Sequence, residues 1–89
     1  MTLEEWKQKL TEGHFGELWV HTDPPGREYS EHTHPVDSVY VVLKGAMTVL
    51  LQGKEQVVGE GQRLDIAKEV LHTATIGSQG CTFLMGVRI

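Results

Sequence analysis

The 89-residue sequence predicts an all-β fold, a small sandwich or barrel preceded by one short helix. Two observations carry this. Short runs rich in β-branched and aromatic residues recur at regular spacing with turn residues between them, ten glycines marking most of the corners. Apolar residues at helical spacing occur only at the N-terminus.

That helix is expected from Thr2 to about Leu10. Thr2 and Glu5 form a capping-box pair, and Leu3, Trp6 and Leu10 fall on one face. Gly13 and Gly16 bracket its exit, and residues 15–22 form a first strand with Trp19 and Val20 at its centre. Asp23-Pro24-Pro25-Gly26 breaks that strand, because proline fixes φ and removes a donor while Gly26 permits a reversal. Residues 27–34 form the next strand, and Pro35 interrupts it. Residues 37–44 resume with Val39 to Leu43 apolar throughout, a pattern of burial on both faces. Gly45 makes a corner before a strand over 46–52, and Gly53-Lys54 is the two-residue turn into 55–58. Gly59-Glu60-Gly61 precedes strands at 63–67 and 70–76, and residues 77–80 turn into a last strand over 81–88.

Composition narrows the function classes. A net charge of -4 with no Lys/Arg cluster removes the footprint that nucleic acid or an anionic membrane surface requires. The apolar runs are far shorter than the roughly 18–20 residues of a membrane helix. Cys81 is the only cysteine, so no intrachain disulfide forms, and no leader pattern opens the chain; the expected location is the cytoplasm. A single core of this size buries only about 60–70% of the unfolded surface, so a homodimer is expected.

The chemistry centres on three histidines. In a strand, His32 and His34 point to the same side, which is a metal-ligand spacing, and a later strand that brings His72 beside them completes a set of three imidazoles. Such a set leaves positions open on a divalent cation.

Gly26 followed after five residues by His32-Thr33-His34, then Gly45 beyond an apolar strand, resembles the first motif of the cupin superfamily. Gly61 to Ala67 followed by His72 resembles the second, in which a glycine precedes a proline by six positions and a histidine by eleven. The resemblance implies a single-domain jelly-roll β-barrel over residues 15–89, with residues 1–14 as helix and lead-in. It also implies one divalent transition metal, zinc, nickel, iron, copper or manganese, held by His32, His34 and His72. Cupin-like enzymes include dioxygenases, isomerases and decarboxylases, acting on small molecules.

The departures from the pattern are specific. Cupin metal sites usually add a glutamate seven residues before the closing glycine, and that position is Ser38. Ala67 stands where proline is common, Glu69 where glycine is common, and Ile76 where some members carry asparagine. Without the carboxylate, three neutral imidazoles leave a dication with its full charge, more weakly held and more strongly polarising, and suited to an anionic ligand. Asp37 and Glu31 have the wrong strand parity to replace it, although a bulge at Pro35 would turn Asp37 inward. Ser38 then opens space for water or ligand.

Tyr40 shares parity with Ser38. It is a candidate catalytic hydroxyl near the metal and equally a core aromatic. Met47, Met85, Phe83 and Leu84 are barrel packing or the apolar wall of a pocket; Cys81 is a small buried hydrophobe; His14 and His21 receive no role. Two functions follow: a metal-dependent oxidoreductase, isomerase or lyase acting on a small anionic molecule, or a non-catalytic barrel that binds a metal or small ligand for sensing or storage. An empty barrel with histidines used only for hydrogen bonding is a third and weaker reading.

Overall fold

The computed structural model describes residues 1–89. In chain order the elements are α1 (Leu3–Glu12), β1 (Phe15–Asp23), β2 (Glu28–His32), β3 (Ser38–Leu51), β4 (Lys54–Gly59), β5 (Arg63–Ile66) and β6 (His72–Arg88). Every pairing is antiparallel, and β6 is the spine of the jelly roll. Its first half pairs with β2 and the second half of β3; its second half pairs with β1 and the first half of β3. β4 and β5 pair with the two ends of β3.

The helix forms as its caps dictate. The Glu5 amide donates to Thr2 Oγ1 at 3.1 Å and the Thr2 amide to Glu5 Oε1 at 2.8 Å, closing the capping box. Trp6 and Leu10 are buried against Phe15, Val39, Val41 and Leu84 on the outer face of the barrel, with Leu3 packed at the edge. Each such burial contributes about 1.5–3 kcal/mol. Val42 faces the other way, into the barrel, and register shifts between Val42 and Met47 flip the alternation so that Met47 and Val49 face inward too, joining Ile66, Ile76 and Phe83 in the interior cluster. The run from Val39 to Leu43 is thus shared between two cores, as its unbroken apolarity predicts.

Four boundaries differ from the sequence expectation. The expected strands over 37–44 and 46–52 merge into the single β3, and those over 70–76 and 81–88 merge into the single β6, which starts only at His72, because Gly45 and the 77–80 segment bend their strands without ending them. Gly45 and Gly80 both take positive φ, at 80° and 77°, and a Cβ on Gly45 would lie 2.1 Å from the Gly80 carbonyl oxygen. The two long strands therefore fold over together at one place, where their backbones touch. The first hairpin turn is Gln52-Gly53 in place of Gly53-Lys54, with φ of 52° and 75°, the double positive φ of a type I′ turn. Finally, β2 ends at His32, so His34 lies in the loop before β3. The residue that precedes Pro35 has left the ladder.

Candidate metal centre

His32 and His72 come from neighbouring strands. They are register partners on β2 and β6, and the loop after β2 returns His34 to the same point. One ring nitrogen from each of the three lies within 4.8 Å of the others. The ring centroids are 4.2 Å apart for His32 and His72, 5.0 Å for His32 and His34, and 5.1 Å for His34 and His72. The strand-parity argument for His34 does not apply, since its backbone is not extended in a ladder. A hydrogen bond from the Glu69 amide to the His34 carbonyl oxygen, at 2.7 Å, ties that loop to the turn leading to His72.

The backbone also orients the rings. His32 Nδ1 lies 2.7 Å from the Ser30 carbonyl oxygen and His72 Nδ1 lies 2.9 Å from that of Val70. A carbonyl can only accept, so each Nδ1 carries the proton and each Nε2 is left with its lone pair free. This is the arrangement by which metal-ligating histidines are held. Burial, then the charges of His72 and His32, lowers the pKa of His34. Burial also lowers that of His72, against a contribution from the Val70 carbonyl and with one from His32. Neutral imidazole is the ligating form, so the donor set fits a divalent cation.

The histidines stand in an interior cavity of about 290 Å³, at the small end of ligand pockets. Met47, Phe83 and Met85 form part of its apolar wall; Leu84 instead lies in the core beneath the helix. Tyr40 also lines the cavity, with Oη 3.3 Å from His34 Nε2, and burial raises its pKa while the nearby Ser38 hydroxyl offsets part of the rise. Ser38 is fully buried, makes no hydrogen bond of good geometry through Oγ, and is not among the residues lining the cavity.

Asp37 faces away from the histidines. Its carboxylate accepts from the Lys68 amide at 2.9 Å and from Arg88 Nε at 3.4 Å, so the inward turn at Pro35 does not occur. Glu31 is exposed. Cys81 is buried, and burial with the nearby Asp23 charge pushes its thiol up to about 11, which leaves it an inert hydrophobe.

The family model for the cupin domain matches residues 19–85. The chain belongs to the cupin family. Among solved structures, this cupin is similar to a cupin-2 domain protein of Shewanella frigidimarina, at 19% identity and a TM-score of 0.67, covering 76% of this chain and 65% of that one. It is similar to KdgF from a Halomonas species, at 18% identity and a TM-score of 0.69, covering 81% and 68%. It is also similar to the DMSP lyase DddQ of Ruegeria pomeroyi, at 23% identity and a TM-score of 0.74, covering 81% of this cupin and 37% of the lyase. The cupin thus spans about two thirds or less of these neighbours' lengths, and the likenesses carry the fold. Among curated proteins none matches the sequence.

Sequence reasoning missed one group in this cupin. Trp19, His21, Arg27 and Tyr29 line the cavity, and Asp23 is buried beside them, 2% exposed. Asp23 accepts from His21 Nε2 at 2.8 Å, Arg27 at 3.1 Å and Tyr29 Oη at 2.5 Å. Burial pushes its carboxyl up, but these bonds and the Arg27 charge outweigh it and hold the pKa below the usual value. The Tyr29 phenol is pushed up to about 12 by burial and by Asp23. The alternation Trp19, His21, Asp23 was available as a signal. Arg27 and Tyr29 were not reachable that way, because a register shift between Tyr29 and His32 changes the parity.

Proposed function

We propose that this cupin holds one divalent transition metal through His32, His34 and His72 and binds or transforms a small anionic molecule in the adjoining cavity. The observation that carries this reading is the convergence of three ring nitrogens within 4.8 Å, two of them on rings whose Nδ1 is spent on a backbone carbonyl. Bound there, a dication would supply Lewis-acid stabilisation of negative charge on a substrate oxygen. The protein's own part is to favour the neutral form of His34 and His72, to wall the site with apolar side chains, and to present the Tyr40 hydroxyl beside His34. With its pKa raised, Tyr40 is protonated near neutral pH and can donate a hydrogen bond or a proton to a bound oxygen.

Elemental mass spectrometry of the untagged protein tests the metal. About one ion per chain is expected in the wild type, and at least about a tenfold loss of affinity in His34→Ala. Equal metal in both, or none in either after supplementation, overturns the reading.

The non-catalytic reading is favoured by the state of the two phenols in the cavity. Tyr29 and Tyr40 both have raised pKa values, so neither serves as a base near neutral pH. Turnover across a panel of small carboxylates and diketones, present in the wild type and absent in His72→Ala, identifies an enzyme; ligand-induced thermal shift without turnover identifies a binder. We further infer a homodimer, supported by Leu50 and Val57, which are exposed on one face of the β3–β4 ladder with Val57 69% accessible. Light scattering at micromolar concentration tests it, and a monomer there refutes it.

A further inference from the structure

We propose that Arg27 is the residue by which the cavity recognises the anionic end of its ligand, a carboxylate, with Asp23 and Tyr29 holding the guanidinium in place. The proposal rests on the reading above that the ligand is a small anion, and adds where its charge is bound.

The cavity lining contains no carboxylate: its ionisable groups are Arg27, four histidines and two tyrosines. The one acid close by, Asp23, does not line it and is consumed by its own bonds. Arg27 lies with its guanidinium carbon 4.7 Å from the Tyr29 ring centroid, while Tyr29 Oη donates to Asp23, so ring and carboxylate together fix the side chain on two sides. Asp23 takes a single hydrogen bond from Arg27, through one terminal nitrogen, and the side chain remains 48% accessible. A guanidinium has five N–H groups in a planar fork that matches a carboxylate. A group serving only to neutralise Asp23 would have no need to face the cavity, since Tyr29 and His21 already occupy both carboxylate oxygens.

Arg27 stands immediately before β2, and His32 ends it. At about 3.3 Å per residue, five residues place their Cα atoms at most about 16 Å apart, and both side chains line the same cavity. Between them the wall includes Ala74 and Ile76 of β6. The arrangement suits a ligand with a carboxylate at one end, an apolar middle, and an oxygen donor toward the histidines.

The test compares hexanoate with hexanamide, two probes of one shape and different charge. Binding is followed by NMR titration of the chelator-treated full chain, so that a metal does not contribute. Wild type is expected to prefer hexanoate by about tenfold or more, the scale of a hydrogen bond to a charged group. Arg27→Met is expected to bind both alike. Because that change leaves Asp23 without its cation, Asp23→Asn/Arg27→Met is measured as well; its amide keeps one acceptor oxygen for Tyr29, its NH2 donates to His21 Nε2 in the other ring tautomer, and no unpaired charge is buried. No preference in the wild type, or a preference that survives in a folded variant, overturns the proposal. Zinc content after reloading the same preparations reports separately on the histidine site: failure to load sinks the metal reading and leaves the hexanoate result standing.

Discussion

His32 and His72 face each other as register partners across β2 and β6, with ring centroids 4.2 Å apart. Two imidazoles so close resist being charged together, and burial acts in the same direction on His72 and His34, whose pKa values lie below the usual 6.5. The folded state therefore binds fewer protons than the unfolded chain as pH falls through about 6.5. Metal-free protein should have its full stability well above that value and lose it progressively as pH falls through and below it, and metal affinity should fall over the same range as protons compete. Thermal unfolding across that series checks the first statement. A Tm that holds or rises on acidification would contradict it.

Gly45 cannot carry a side chain. Its φ is 80° and an added Cβ would meet the Gly80 carbonyl oxygen at 2.1 Å, so Gly45→Ala should cost about 3 kcal/mol or more. Gly26 is the control. It has φ of 75° with nothing within 4 Å, and Gly26→Ala should cost only about 1 kcal/mol in urea unfolding.

Glu69 occupies a backbone that favours glycine, with φ of 60°, while its amide donates to the His34 carbonyl oxygen. Glu69→Gly should relieve that strain and stabilise the fold by roughly 0.5–1 kcal/mol without disturbing the metal, whereas Glu69→Ala should not. Denaturant midpoints of the two variants decide this.

Ser38 buries a hydroxyl that finds no well-formed hydrogen bond. Ser38→Ala should be neutral or stabilising by up to about 1 kcal/mol and should retain the metal content of the wild type. Loss of metal in this variant would show that the hydroxyl takes part in the site.

How legible the molecule was depended on the kind of signal each part carries. The capping box of Thr2 and Glu5, the buried stripe of Trp6 and Leu10, and the doubly buried Val39 to Leu43 are local patterns, and each folds as its period dictates. Gly45 and the Gly77 to Gly80 segment carry the glycine-rich turn composition that ends most strands. Here two such bends lie back to back, each holding the other in register, and the ladder continues past both.

The sequence by itself determined the β architecture, the N-terminal helix, and the three histidines, because alternation, capping and motif spacing are properties of neighbouring residues. The tertiary structure decided the rest. A bulge between Tyr29 and His32 turns Arg27 and Tyr29 to the histidine side, the loop before Pro35 carries His34 in from outside any strand, and Asp37 is drawn outward to Lys68 and Arg88. Each of these outcomes depends on a one-residue change of register or on a partner more than 30 positions away, and strand parity carries information about neither.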